Sequence, residues 1–511
     1  MEPRVSLRLL AGLLGIVVAQ HFPSGFSPEP LLAGGRTFFM ADDSWRRDAI
    51  AKMWLERRSM VYTPLFKFNY PGNPSVDLIF KNETASKTDT LKHRYAWALM
   101  MWALVEGNVG PNTTVFEASS GNTAASLAYM CRLVGVPFIA VVPNTLEDTK
   151  LGHITQYGAK IKKVDNLLRW TEAGRIAQEA NGFFMNQFGN ADKAEEFHES
   201  GNFPLESVNV FHEFLAQLSA DSNQAVKHPH FFVMPVGTGG TLSSVGKYVK
   251  KYGVPTQLVF ADTQYSLMGD YALMGRFVNE SGEHLVIAPG MAGIGTLPTG
   301  RAVKGETTSL DRGVLDRVMK IPDMASTAAM AVLQRFGIDG GTSSGVNLVA
   351  MLSLAAQETS SNPRNDRLTI ATLLADPGHF YAASYLNRTW ISEKMSRHGG
   401  LTAYDCWTQV IMSALELGGD PLMMGLEDGP RPRPQSMFEG NTTLDADEEI
   451  AHLFSAQPAA ILSRQCSHAT PDTSPTNGRR LSVAAGIAKF EAHARQHAVK
   501  REKPWRESNA L

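Results

Sequence analysis

Apolar positions run unbroken from Leu9 to Ala19, and beyond residue 43 they settle into short apolar strands alternating with helices. A helical stretch begins at Trp45, Thr63-Pro-Leu-Phe opens a strand-like region, and Val76 to Lys81 reads as a strand. Lys92 to Glu106 reads as a helix with Tyr95, Leu99, Trp102 and Ala103 on one face. A β-α-β alternation follows: a strand over Thr114–Glu117, a helix over Ala124–Leu133, a strand over Pro137–Val142, a helix over Glu147–Tyr157 and a strand over Lys160–Val164. It resumes with a strand over Phe231–Val236, a helix through Tyr248 and a strand over Gln257–Ala261, and Leu368–Leu374 closes the core. Strands spaced by helices of this length predict an α/β fold, its parallel sheets covered on both faces.

The ends depart from this pattern. Arg4 and Arg8 precede the first apolar run, and Val17-Val18-Ala19 places modest side chains before Gln20. Residues 1–19 therefore read as a signal peptide for the secretory pathway, with a mitochondrial presequence as the alternative. Residues 20–43 read as a flexible lead broken by proline and glycine. Acceptor triplets at Asn82, Asn112, Asn279, Asn387 and Asn441 fit a glycoprotein, though chance yields several in a chain of 511 residues. Beyond Ser396 the chain turns polar and proline-rich, and 396–511 is expected to be a largely flexible extension, with one helix possible over Cys406–Leu417.

Composition removes several classes. Hydrophobic residues at 43% can fill a large core, and 48 basic against 50 acidic residues give no reason to expect nucleic acid or an anionic membrane as partner. No stretch of the main body has the length and apolarity of a membrane span. Cys131, Cys406 and Cys466 imply no disulfide framework, and no metal-ligand spacing is present.

Glycine-rich turns carry the candidate chemistry. Gly237-Thr-Gly-Gly-Thr follows a strand and opens a helix, so its backbone N–H groups and the positive helix end suit one phosphate. A plain tight turn reads equally well. Ala118-Ser-Ser-Gly-Asn-Thr also joins a strand to a helix and can bind a carboxylate or simply cap the helix. Gly340-Gly-Thr-Ser-Ser-Gly345 is a third such turn, in which Ser343 can serve a ligand nitrogen or act as a cap. Lys92, at the start of a helix, is by position alone a surface charge.

Taken in order, Lys81-Asn-Glu…Thr88-Asp-Thr-Leu-Lys-His-Arg, Glu117-Ala-Ser-Ser-Gly-Asn-Thr, Gly237-Thr-Gly-Gly-Thr and Gly341-Thr-Ser-Ser-Gly resemble the motif set of fold-type II pyridoxal-5′-phosphate (PLP) enzymes. Within these, the chain resembles the cysteine synthase and cystathionine β-synthase family over about Thr63–Tyr385, closest to the L-cysteine desulfhydrase-like and nematode cysteine synthase-like branch. The resemblance implies a tryptophan synthase β-like fold, with two open parallel-sheet domains and the cofactor in the cleft. It implies a catalytic unit over 44–395 with a smaller substrate-loop subdomain inserted at about 90–185, and a homodimer. It makes Lys92 the Schiff-base lysine and Asn122 the partner of the ring oxygen. Ser119, Ser120, Gly121, Thr123 and Gln187 become the grip on the substrate α-carboxylate. Gly237, Thr238, Gly239, Gly240 and Thr241 become the phosphate cradle, and Ser343 the hydroxyl at the ring nitrogen.

The implied activity is β-elimination on L-cysteine, giving sulfide, pyruvate and ammonia. The alternatives are β-replacement as a cysteine synthase, serine/threonine dehydration, and an inactive PLP-fold binding protein. Lys87 in place of a common proline, Ala124 in place of a usual glycine and Asp262 in place of a frequent glutamate depart from the family pattern. They bear on the substrate rather than on the cofactor.

Overall fold

The computed structural model describes residues 40–119, 121–194, 209–275, 289–295, 304, 308–361, 367–425 and 435–436. Strands β1 (Leu65–Phe68) and β2 (Val76–Asn82) come first, followed by β3 (Val115–Ala118), β4 (Phe138–Pro143), β5 (Lys160–Val164) and β6 (Phe183–Phe184). Further along are β7 (Phe231–Met234), β8 (Gln257–Thr263), β9 (Arg317–Ile321), β10 (Leu368–Leu374) and β11 (Gln435–Ser436). The described residues fall into two compact units. One draws on Met1–Thr63, Ala85–Glu213 and Val303–Ser309, the other on Pro64–Thr84, Phe214–Ala302 and Leu310–Leu511.

In the first unit the sheet order is β5-β4-β3-β6, all parallel. Strand β5 alternates lysine with apolar residues (Lys160-Ile-Lys-Lys-Val), which suits an edge with one face in water. This unit is wider than the 90–185 expected, because helix Met40–Ser59 joins its core. Trp54 meets Trp97 edge-on with centroids 5.4 Å apart, and Trp97 Nε1 donates to Met53 O at 2.6 Å. That helix begins at Met40, inside the segment read as a flexible lead. Helix Lys92–Val105 is buried on every side from Tyr95 to Leu104, not along one face. An all-apolar helix is what a fully enclosed element requires.

In the second unit the order is β1-β2-β10-β7-β8-β9-β11, parallel through the centre with β1 and β11 antiparallel at the edges. Every residue of β7 and β10 is buried, which accounts for their continuous apolar runs. The expectation of a largely flexible extension from Ser396 fails for residues 396–425. Helix Gly400–Leu417 places Trp407, Ile411, Met412 and Leu415 in the core that also holds helix Asp323–Arg335. Charge at Asp405 and Glu416 obscured that apolar face in the sequence. Strand β9, short and interrupted by lysine, was also missed. Cys131 is buried and unbonded, with burial raising its thiol pKa, whereas Cys406 is disulfide-bonded. The proposed signal peptide, Ser120, Asn279, Asn441 and residues 437–511 lie outside the described residues. Among the described residues no helix is long and apolar enough to cross a membrane, and no group of His, Cys, Asp or Glu is arranged to hold a metal ion.

Candidate active site

The first unit carries Lys92, which is half-buried at the first position of helix Lys92–Val105. The residues leading to it are locked by short hydroxyls. Ser86 Oγ donates to Thr90 O at 2.7 Å and accepts the Thr90 N–H at 3.0 Å, while Thr90 Oγ1 accepts the Lys92 N–H at 3.1 Å. Asp89 between them is left-handed, at φ 57°. Thr88 Oγ1 lies 2.8 Å from Ser126 Oγ, joining this segment to helix Asn122–Val134.

Behind the lysine segment stands Glu56, a buried carboxylate on helix Met40–Ser59. It meets His93 Nε2 at 3.1 Å, Lys87 Nζ at 2.9 Å and Tyr129 OH at 2.9 Å. Burial raises its pKa, but the hydrogen bonds from His93, Lys87 and Tyr129 outweigh that and bring it down to about 2. Lys87, the departure from the family's proline, thus has a structural use. Its ammonium also donates to Ser59 Oγ at 2.7 Å.

The turn after β3 holds the proposed carboxylate grip. Ser119 Oγ accepts the N–H groups of Gly121 at 3.1 Å and Ala124 at 3.2 Å, so its hydroxyl caps the turn from within. Asn122 opens the helix after Gly121. Thr123 Oγ1 donates to Gln187 Oε1 at 2.7 Å. Gln187 Nε2 donates to Ala118 O at 2.8 Å and to Glu117 Oε1 at 3.3 Å, and the Gln187 N–H donates to Glu117 Oε2 at 3.1 Å. Tyr95 OH donates to Gln187 O. Gln187, expected to face the substrate, therefore has its whole amide engaged beneath the turn. Glu117 is fully buried, and burial pushes its carboxyl up to about 8 against these N–H donors.

The second unit carries the other glycine turns. Gly237 to Gly239 lead from β7 into helix Gly240–Tyr252, with the Gly240 N–H donating to Thr238 Oγ1 at 3.3 Å and Thr241 in the first turn. At Gly239, φ is 92° and an added Cβ would stand 2.3 Å from Leu310 N, so only glycine fits. An added Cβ on Gly237 would meet Gly293 O at 2.7 Å. The Gly290–Gly295 arch thus lies against the cradle, its Gly295 N–H donating to Val236 O at 2.8 Å. Thr342 Oγ1 donates to Ala292 O at 2.8 Å, which ties the same arch to helix Thr342–Ser361. Ser343, next in that helix, has a buried Oγ with no hydrogen-bond partner among the described residues. The sequence reading missed the arch, Glu117 and Glu56. The spacing Gly-Met-Ala-Gly-Ile-Gly was the available signal for the arch.

Comparison with known proteins agrees with these motifs. The pattern shared by pyridoxal-phosphate dependent enzymes matches residues 58–372. A Caenorhabditis elegans protein described as pyridoxal-phosphate dependent is 48% identical over 388 residues, covering 75% of this chain and 88% of that relative. An L-cysteine desulfhydrase of Mycobacterium tuberculosis is 32% identical over 355 residues, covering 68% of this chain and 90% of the relative. Among solved structures, a hydrogen sulfide-producing enzyme matches with a TM-score of 0.52 at 22% identity, over 66% of this chain and 92% of the other. O-ureido-L-serine synthase matches with a TM-score of 0.51 at 22% identity, over 65% and 94%. At that identity the structural likeness speaks to the fold alone.

Proposed function

The chain belongs to the pyridoxal-phosphate dependent enzymes, in the cysteine synthase family, and from that premise we propose that it eliminates the β-substituent of L-cysteine or a close analogue, releasing sulfide, pyruvate and ammonia. The cofactor is pyridoxal 5′-phosphate. When bound, it supplies an electrophilic carbon and an electron-accepting ring. The residues present fit it. Ser343 offers a buried hydroxyl that no group among the described residues uses, and the Gly237–Thr241 turn offers glycine backbone at the start of a helix.

The single observation that carries the reading is the type of residue at position 343. A hydroxyl accepts or donates a hydrogen bond without holding the ring nitrogen protonated, as a carboxylate there would. A moderate electron sink favours loss of a β-substituent over transamination. Lys92 would hold the cofactor, and its amine would take the proton from the substrate α-carbon. Asn122, at the start of helix Asn122–Val134, would bond the ring oxygen of the cofactor. The amides of Asn122 and Thr123 would hold the α-carboxylate at the N-terminal end of helix Asn122–Val134.

Support for cysteine as substrate comes from the desulfhydrase relative, which aligns over 90% of its own length. The test is to incubate purified, cofactor-loaded protein with L-cysteine and assay sulfide and pyruvate, with Lys92→Ala as control. Release of both products by the native protein and neither by the variant is expected. A loaded native enzyme that releases neither overturns the proposal. A new amino acid formed only when a thiol or sulfide acceptor is added would replace elimination by β-replacement.

From the apolar run Leu9–Ala19 we also propose entry into the secretory pathway with residues 1–19 removed, a mitochondrial presequence being the alternative, and from the family resemblance a homodimer. Asn112 and Asn387 are exposed, and both are expected to carry glycans. An endoglycosidase shift that disappears in Asn112→Gln/Asn387→Gln checks this.

A further inference from the structure

A carboxyl group buried one residue before the substrate turn has no part in the chemistry described above. Glu117 ends nothing and caps nothing, because it lies within β3 and is 0% exposed. Both of its oxygens take bonds from Gln187, with the Ala118 backbone N–H and the Arg169 charge also close by. Oε2 takes the Gln187 backbone N–H at 3.1 Å and Oε1 takes Gln187 Nε2 at 3.3 Å.

This fixes which way the Gln187 amide points. With Nε2 held by Glu117 and by Ala118 O at 2.8 Å, the amide oxygen must face the other way, toward Thr123. There it accepts the Thr123 hydroxyl proton at 2.7 Å. Both Nε2 hydrogens are then committed, as is the Thr123 hydroxyl proton. Turning the amide over would aim its carbonyl oxygen at the Ala118 backbone carbonyl and leave two buried acceptors facing one another.

We propose that Glu117 is a positioning residue for amino-acid binding: through Gln187 it sets the Thr123 side chain, and with it the turn whose backbone amides receive the substrate α-carboxylate. The inference rests on the reading of this turn as the carboxylate grip. It makes a distinction that the functional reading alone does not: substrate binding depends on the direction of one buried amide.

The test uses the cofactor-loaded full chain and two readouts, the shift of the visible absorption band on titration with L-cysteine or L-serine, and KM against kcat. Glu117→Gln replaces an acceptor by a donor facing Gln187 Nε2. The half-saturation of the spectral shift and KM should both rise about tenfold or more, with kcat and cofactor content nearly unchanged. Thr123→Val should have a similar effect, Thr123→Ser should restore binding, and the double variant should be no worse than about twofold beyond the poorer single one. A loaded Glu117→Gln protein with native half-saturation overturns the inference, as do effects of Glu117→Gln and Thr123→Val that multiply. If Glu117→Gln does not fold, Gln187→Glu reverses the same contact from the other side, and native half-saturation there also overturns it. A native enzyme whose band responds to no amino acid instead overturns the reading of the turn and the inference together.

Discussion

At the start of helix Asp323–Arg335 sits a carboxyl group with nowhere to place its charge. Asp323 is 0% exposed, its Oδ1 accepts the Gln264 N–H at 3.1 Å, and its Oδ2 has no hydrogen-bond partner among the described residues. Burial pushes its pKa up to about 7, with nearby Asp262 adding to the rise and the Gln264 N–H and Lys320 opposing it. The folded protein therefore holds a proton that the unfolded chain releases near the ordinary 3.8. Stability contributed by this group falls as pH rises from about 4 to about 7 and is level above that. Asp323→Asn should remove that decline, read as the difference in urea midpoints between pH 5 and pH 8.

Lysine burial misleads at the same scale. Lys81 is 0% exposed, with Nζ bonded to Gln217 Oε1 at 2.8 Å, whereas Lys92 is only half-buried. A search for the most enclosed amine would select Lys81 in place of Lys92, the lysine proposed to hold the cofactor. Lys92 was legible only because its neighbours stand in a specific order with three later turns. Glu117 and Glu56 were not legible, because their partners at Gln187, His93 and Tyr129 come from other elements and no spacing rule connects them. At Gly239 the constraint is backbone contact with Leu310, equally invisible in sequence. Gly239→Ala should weaken cofactor binding at least about tenfold, since a strained φ and a backbone clash together cost a few kcal/mol. Titration of the apoprotein with pyridoxal phosphate measures it.

Among elements, helix Met40–Ser59 gathers the lysine segment chiefly through one side chain. Glu56 draws together Lys87, His93 and Tyr129, residues on both sides of Lys92 and on the helix behind it. Glu56→Gln should destabilise the fold by about 3 kcal/mol, because it leaves buried donors facing an amide. The sign with pH is opposite to that of Asp323. The carboxyl is held near 2, below its ordinary 4.5, so its contribution is complete above about 4.5 and lost as pH falls toward 2. The native protein and the variant should converge in unfolding midpoint as pH drops from 6 to 3.

Helix Gly400–Leu417 is the second case. Its length and apolar content were partly readable from Cys406 onward, but the polar chain beyond it masked its attachment. Trp407 is 2% exposed in the core of the second unit, and Trp407→Ala should cost about 3–5 kcal/mol. Chemical denaturation checks it. An unchanged midpoint would detach this helix from the core.

On the scale of the whole chain, the strand–helix alternation was readable because strands buried on both faces leave continuous apolar runs, as in β7 and β10. The order of strands was not, since hydrogen bonding between strands far apart in sequence leaves no local mark. The centre of the larger sheet makes the point. Strand β2 pairs with β1 beside it, and on its other side with β10, where Val76 meets Leu368. On a ribosome adding about 5–20 residues each second, β2 emerges on the order of tens of seconds before its second neighbour exists. During that interval an apolar strand stands half-paired in the nascent polypeptide. Synthesis of this protein should therefore depend on chaperones that shield Val76–Asn82, and chains stalled before Leu368 should be cleared or aggregate.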